Sequence, residues 1–116
     1  VDAWNGWYAW FGNTPAGAAS LLTSVDEACV EVGRDPGTLR KTVSVLVEAP
    51  GGVGNIERAK RWDDPPAVTG PPAAIAEQLS RFAEVGVDEV QLVVDPITTG
   101  SVAWLSDVLT SPALTR

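Results

Sequence analysis

The chain has 116 residues, of which 45% are hydrophobic and 20% charged, the balance of one small globular domain. Its net charge of -7 argues against nucleic-acid and anionic-membrane partners, because phosphate contacts need clustered Lys and Arg. With no histidine and a single cysteine, Cys29, the chain cannot build the usual zinc or copper sites, an internal disulfide or a Ser-His or Cys-His nucleophile pair. We therefore expect no bound metal. No apolar run approaches the roughly 20 residues that span a bilayer, and we expect a cytoplasmic protein.

An amphipathic helix is predicted after Thr14-Pro15, a cap residue followed by a proline suited to the first helical position. Gly33 is its natural stop, and Asp35-Pro36 prevents its resumption. The apolar residues that keep the 3.6-residue period, and that we expect to be buried, are Ala18, Leu21, Leu22, Val25, Ala28, Cys29 and Val32.

Two strands are predicted over residues 42–47 and 89–94, which are rich in β-branched residues. A second helix begins at Gly70-Pro71-Pro72 and ends at Gly86. A third runs from about Ser101 to about Leu109 and buries Val102, Leu105, Val108 and Leu109. Strands separated by helical crossovers must pair in parallel, so the pattern predicts an α/β fold.

The stretch of about residues 49–68 has no clear period and is rich in glycine and proline. It leaves the C-terminal end of the first predicted strand, where ligands bind in parallel α/β folds. Its Gly51-Gly52-Val53-Gly54 lacks the Lys-Ser/Thr of a phosphate loop, so we interpret it as a flexible loop. The only basic cluster, Arg58, Lys60 and Arg61, either attracts a polyanionic coenzyme tail or forms a solvated surface.

Four segments carry a resemblance to known proteins through their order and spacing. They are Asp2-Ala3-Trp4-Asn5, residues 29–39 around Gly33-Arg34-Asp35-Pro36, residues 69–76 (Thr-Gly-Pro-Pro-Ala-Ala-Ile-Ala) and residues 86–92 (Gly-Val-Asp-Glu-Val-Gln-Leu). Together they resemble the last part of the bacterial luciferase-like monooxygenase family. The first segment is similar to the stretch that closes the sixth barrel strand of that family, and the last is similar to the entry into its final strand.

This resemblance implies that residues 1–116 are a single partial domain, the C-terminal part of a TIM (β/α)8 barrel, since a whole barrel takes roughly 250 residues. The chain opens at Val1 and contains no Met, which also favours a fragment. The implied function is that of an oxidoreductase or monooxygenase using reduced deazaflavin (coenzyme F-420) or FMN on a small organic substrate. The usual catalytic groups of the family would come from earlier strands, so no catalytic residue can be named, and the fragment alone is expected to be inactive.

The resemblance places the coenzyme at the C-terminal ends of the strands, where we expect Asp2, Trp4 and Asn5. Trp4 and Asn5 are the predicted cofactor-binding residues, the alternatives being that Trp4 packs and that Asn5 holds a loop. Asp2 is expected to brace the barrel rim. Glu48 and Asp95 follow the two predicted strands and are either acids of the site or solvated capping groups.

An aromatic run follows Asn5 and comprises Trp7, Tyr8, Trp10 and Phe11. Such residues wall a substrate pocket, form a contact between subunits or pack in the core, and homo-oligomerisation therefore stays open. Gly70 either offers a backbone N–H to an anion or caps its helix; Pro71 and Pro72 remove donors and favour capping. The alternative function is a non-catalytic small α/β interaction module that pairs an exposed sheet edge with another chain.

Overall fold

The computed structural model describes residues 3–52 and 65–115. Strands and helices alternate along the chain: β1 (Ala3–Trp7), α1 (Tyr8–Phe11), α2 (Pro15–Glu31), β2 (Arg40–Glu48), α3 (Pro72–Glu84), β3 (Glu89–Asp95), α4 (Thr99–Leu109) and α5 (Pro112–Thr115). A single 3-10 turn, Pro36–Thr38, precedes β2. The predicted alternation is confirmed. β2 begins two residues earlier and ends one residue later than predicted, and β3 ends one residue later.

The three strands form one parallel sheet in the order β1-β2-β3. The predicted parallel pairing is therefore confirmed. Consecutive strands are neighbours, and parallel crossovers are right-handed almost without exception, so α2 and α3 lie on the same face of the sheet. Side chains on β2 alternate between this helix-covered face, which receives Val43, Val45 and Val47, and the opposite face.

The core lies between β2 and α3. The β2 residues Val43, Val45 and Val47 are fully buried, as are Ile75 and Phe82 of α3. The ring of Phe11 from α1 meets Phe82 edge-on, with the ring centroids 6.1 Å apart. Two short elements that the sequence pattern did not predict, α1 and α5, thus complete the apolar packing around α3.

Helix α2 begins and ends close to its predicted bounds. The Thr14 hydroxyl accepts a hydrogen bond from the Gly17 N–H (3.1 Å), and the positive φ of Gly33 (+76°) terminates the helix. Cys29 is buried, as predicted. The prediction that Ala28 and Val32 are buried is wrong: both are exposed, Val32 by 79%. Ala28 lies on the flank of α2 that faces away from β2, and Val32 follows the last residue of the helix.

Helix α4 begins two residues earlier than predicted, where the Thr98 hydroxyl accepts a hydrogen bond from the Ser101 N–H (3.0 Å). Leu105 and Val108 are buried, but Val102 (59% exposed) and Leu109 (55% exposed) are not, which corrects the prediction. The buried stripe runs instead through Ser101, Leu105 and Val108. Val102 and Leu109 lie beside that stripe, on the flank beyond the last strand.

No helix within residues 3–52 and 65–115 combines the length and the apolar character needed to cross a membrane.

Candidate functional site

Two carboxylates lie side by side at the carboxyl edge of the sheet. Glu48, the last residue of β2, is the register partner of Asp95, the last residue of β3. Register partners in a parallel sheet project from the same face, so both side chains lie on the face opposite α2 and α3. Glu48 is half-buried and Asp95 is buried. The sequence-based placement of both residues at strand ends is confirmed, while their action as acids stays a prediction.

The chain after β2 folds tightly over this pair. The Ala49 N–H donates to the Asp95 carbonyl (2.8 Å), and the Gly52 N–H donates to the Ala49 carbonyl (3.0 Å). A β-carbon at Gly52 would lie 2.4 Å from the Asp95 carbonyl oxygen, 2.9 Å from Glu48 Cγ and 3.0 Å from Asp95 Oδ2. Only glycine fits at position 52, because the Asp95 carbonyl oxygen is a backbone atom that cannot move aside, and the side chains of Glu48 and Asp95 lie close to the same point.

A groove of about 380 Å³ opens beside this turn. Its walls come from the end of β2, the residues before α3 and one aromatic side chain of α4; the lining residues are Glu48, Ala49, Pro50, Gly51, Gly52, Gly70, Pro71, Pro72 and Trp104. Trp104 also lines an adjoining cavity of about 370 Å³ together with Pro50, Thr98, Gly100 and Ser101. Trp104 is therefore the aromatic wall shared by both cavities.

Asn13 fixes the loop that enters this end of the sheet. Its φ of +60° is in the left-handed region, which Asn tolerates better than most residues, and the side chain is buried. Asn13 Nδ2 donates to the carbonyls of Leu46 (2.9 Å) and Pro66 (3.0 Å), and Oδ1 accepts from the Leu46 N–H (2.9 Å). The side chain thus continues the pairing of β2 beyond the last residue of β1.

The two predicted cofactor-binding residues lie inside β1 rather than at its end. The strand continues to Trp7, so Trp4 pairs in register with Lys41, and Asn5 with Thr42, near the start of β2. The expected position at the carboxyl edge is wrong, because β1 extends two residues past Asn5. Contact of either residue with a coenzyme stays a prediction.

Trp4 projects from the helix-covered face. It lines an apolar depression with Val25 and Ala28 of α2 and with Val32, the residue that follows the helix. A β-carbon at Gly6 would lie 2.7 Å from the outer end of the Trp4 ring, so the ring would have to shift if any other residue stood there. Trp4 therefore packs against the flank of α2 next to the outer edge of β1.

Asn5 belongs to a polar ladder that crosses the sheet on the other face. Thr42 Oγ1 donates to Asn5 Oδ1 (2.8 Å), and Asn5 Nδ2 donates to Ser44 Oγ (3.2 Å). Ser44 Oγ donates to Gln91 Oε1 (3.3 Å), and Gln91 Nε2 donates to Glu89 Oε2 (2.6 Å). The ladder joins all three strands through uncharged groups and ends at one carboxylate.

That carboxylate is also paired with a guanidinium on β2, where Arg40 Nη2 lies 2.8 Å from Glu89 Oε1. The hydrogen bond from Gln91, followed by the hydrogen bond and charge of Arg40, holds the pKa of Glu89 below its ordinary value of 4.5. Both partners are substantially exposed, so the pair adds little to stability.

The aromatic run after Asn5 divides between core and surface. Tyr8 and Phe11 are buried in the core, Trp7 packs partly against it with its ring 4.7 Å from that of Tyr8, and Trp10 is exposed. Gly70 adopts a φ of +123° next to the N-cap residue Pro71 and lines the groove. None of the four aromatic residues lines either cavity beside Trp104.

Several predicted candidates lie outside the described residues, namely Asp2, Gly54 and the basic residues Arg58, Lys60 and Arg61. Within residues 3–52 and 65–115, no group of three or more His, Cys, Asp or Glu side chains is placed to hold a metal ion. Sequence reasoning did not single out Asn13 or Trp104. Asn13 could have been identified from the pair Gly12-Asn13 directly before the helix cap Thr14, since glycine and asparagine both tolerate a positive φ.

No protein-family profile, curated protein or solved structure matches this chain.

Proposed function

We propose that this chain is the C-terminal portion of a luciferase-like oxidoreductase or monooxygenase. It would use reduced deazaflavin (coenzyme F-420) or FMN on a small organic substrate. The proposal joins the resemblance of four sequence segments to an arrangement of strands and helices that suits part of a (β/α)8 barrel.

The observation that carries the proposal is the sequential order of the parallel strands, with α2 and α3 on one face. In a (β/α)8 barrel each strand neighbours the next one along the chain, and every helix lies outside. The face without α2 and α3 would then be the barrel interior. On this face the polar ladder lies near the first residues of the strands. Leu46, Val93 and the Glu48–Asp95 pair lie nearer the carboxyl ends of β2 and β3.

The groove at the carboxyl edge supports a ligand site for the proposed coenzyme. Active sites of such barrels lie at this edge. Trp104 offers a flat apolar wall, and glycines at 51 and 70 let a ligand approach the backbone closely. The described residues that line the groove include no Lys or Arg, so the coenzyme phosphate would be held by groups from the earlier strands of the parent protein.

When bound, the coenzyme supplies hydride transfer or oxygen activation. The contribution of this chain is to bind and orient the ring and to keep water from it. Trp104 would contact the ring face, and Glu48, half-buried in the groove wall, would accept a hydrogen bond from a ring or substrate N–H.

The test is a fluorescence titration of the protein encoded by the complete reading frame, with coenzyme F-420 and separately with FMN. We expect saturable binding of one of them, and weaker binding in the Trp104→Leu variant. Trp10→Leu is the matched control, because Trp10 is exposed and lies outside the groove. Binding of neither coenzyme by a folded protein contradicts the proposal.

A second candidate function is a non-catalytic α/β module that pairs a sheet edge with another chain. It is favoured by the outer edges of β1 and β3, to which no further strand is paired within the described residues. If the folded protein bound neither coenzyme, the result would favour this second function.

A further inference from the structure

The groove at the carboxyl edge of the sheet is poor in groups that donate hydrogen bonds. Three of the residues that line it are prolines, which have no backbone N–H. Three others already donate their N–H to a carbonyl of the chain, at distances of 2.8–3.0 Å; these are Glu48, Ala49 and Gly52. The groove therefore suits a ligand that brings its own donors.

The same groove has a carboxylate in its wall. Glu48 is half-buried there and takes part in neither of the two ion pairs formed among the described residues. The carboxyl group of Asp95 lies behind the turn, with Oδ2 3.0 Å from the position that a β-carbon on Gly52 would take. Both acidic groups at this end of the sheet favour a positively charged ligand.

The cationic side chains on the described elements around the groove lie far from Glu48. Strand β3 and helix α4 contain no Lys or Arg. On β2 the nearest is Lys41, seven residues before Glu48, which is about 23 Å along the strand. On α3 it is Arg81, nine residues after Pro72, or about 13 Å along the helix axis. Both distances exceed the screening length of about 8 Å in physiological salt, so Glu48 dominates the charge of the groove.

Trp104 adds an aromatic ring to this charge. Its half-buried side chain lines the groove of about 380 Å³ and also the adjoining cavity of about 370 Å³, volumes typical of small-molecule sites. An indole attracts a cation that lies within about 6 Å of the ring centroid more strongly than any other side-chain ring does. In a groove of this size, one ammonium group can reach both Glu48 and Trp104.

The composition of the groove suits an organic cation better than a metal ion. Ca²⁺ and Mg²⁺ are held by about six or more oxygen ligands, and no group of three or more His, Cys, Asp or Glu side chains within residues 3–52 and 65–115 is placed to hold a metal. The proline rings and the indole instead offer apolar surface to the carbon atoms next to an ammonium nitrogen.

We propose that the groove binds the ammonium group of a small amine, with Glu48 as its counter-charge and Trp104 as its cation–π partner. An ammonium N–H donates to the Glu48 carboxylate. The uncharged cavity beyond Trp104 leaves room for a coenzyme ring beside the amine. The inference deepens the proposed function by giving the substrate class, and it rests on that function only in calling the amine a substrate.

The test is a ligand-observed NMR titration of the protein encoded by the complete reading frame, without coenzyme. The two probes are isoamylamine, which is protonated at neutral pH, and isoamyl alcohol, a neutral molecule of similar shape. We expect the amine to bind about tenfold more tightly than the alcohol, because only the amine forms the ion pair and the cation–π contact. Equal affinities for the two probes would overturn the proposal.

Two variants locate the site. Glu48→Gln and Trp104→Leu should each weaken binding of the amine by about fivefold, and Glu48→Gln should leave the affinity for the alcohol unchanged. The matched controls are Glu31→Gln, which removes the same charge from an exposed position on α2, and Trp10→Leu at an exposed tryptophan. An equal loss of amine affinity in Glu48→Gln and Glu31→Gln would show that net charge attracts the amine, and would overturn the proposal.

Circular dichroism checks that the variants are folded. If Glu48→Gln is not, the wild-type protein is titrated at low and high salt, where the preference for the amine over the alcohol should shrink as salt screens the ion pair. A preference that does not change with salt would overturn the role of Glu48.

Coenzyme titration of the same protein keeps the two proposals apart. Coenzyme binding without a preference for the amine would overturn the amine site alone. A preference for the amine that Glu48→Gln reduces, in a protein that binds neither coenzyme, would support the amine site and contradict the oxidoreductase proposal.

Discussion

The side-chain amide of Asn13 hydrogen-bonds both backbone groups of Leu46, accepting from its N–H and donating to its carbonyl, each at 2.9 Å. Asn13 thereby occupies the place that a further residue of β1 would take beside β2. A third hydrogen bond, to the Pro66 carbonyl, ties the returning chain to the same point.

We expect Asn13→Gly to lower the free energy of unfolding by about 2–4 kcal/mol, because it removes these hydrogen bonds and leaves the buried Leu46 N–H without its partner. Glycine tolerates the positive φ, so the loss would come from the hydrogen bonds and not from backbone strain. Urea denaturation measures it. A loss well below 1 kcal/mol would contradict the role assigned to Asn13, because a single buried hydrogen bond is already worth about that much.

Gly52→Ala should destabilise the fold by about 1–3 kcal/mol, the usual cost of forcing an extra carbon into a packed site. The new β-carbon would meet the Asp95 carbonyl oxygen at 2.4 Å, and this backbone atom cannot rotate away. Gly100→Ala is the matched control, since a β-carbon at Gly100 has no neighbour closer than 3.8 Å and Gly100 lies in a helix. Thermal unfolding of the two variants distinguishes them, and equal melting temperatures would show that the turn over Asp95 is not tight.

Trp104→Leu should weaken binding of the preferred coenzyme by about tenfold, which corresponds to the loss of one aromatic stacking contact. The melting temperature should change less than it does in Phe82→Leu, because Trp104 is only partly buried and Phe82 is fully buried. Fluorescence titration gives the affinity. Unchanged affinity in Trp104→Leu would remove Trp104 from the proposed coenzyme site.

The pKa of Glu89 tests whether the hydrogen bond from Gln91, the last one of the polar ladder, forms in solution. Because the folded-state pKa lies below the ordinary 4.5, Glu89 stabilises the fold above that pH, and the contribution is lost as the pH falls through the lower folded-state value. Gln91→Ala and Arg40→Ala should each move the pKa of Glu89 back towards 4.5. Side-chain NMR titration measures both shifts, and an unchanged pKa of Glu89 in Gln91→Ala would show that the last hydrogen bond of the ladder does not form.

The regular elements were largely predictable because they follow local rules. Thr14-Pro15 and Gly33 bound α2 as capping chemistry requires, and the run of β-branched residues after Lys41 became the central strand. The errors concern which flank of a helix is covered. A hydrophobic period identifies an apolar stripe, but Val32, Val102 and Leu109 lie at its margin, and their exposure depends on which neighbouring elements are present.

The candidate site was predictable only in part. Glu48 and Asp95 follow strand patterns, so their position at the carboxyl edge could be inferred from the sequence. Trp4 and Asn5 were misplaced because strand ends cannot be read to within two residues from composition. The roles of Asn13, Gly52 and Trp104 depend on contacts with residues distant in the sequence. Such contacts cannot be predicted from the residues that neighbour each of them in the chain.

The last residues of β2 are held from both sides. On one side the Glu48 N–H donates to the Val68 carbonyl and the Val68 N–H donates to the Leu46 carbonyl; on the other, the Ala49 N–H donates to the Asp95 carbonyl. The chain therefore leaves the sheet after Ala49 and returns to it at Val68 at two fixed points. The register of β2 at this edge is set by these backbone hydrogen bonds, so substitutions in the connection between the two points can change its sequence while the sheet keeps its register.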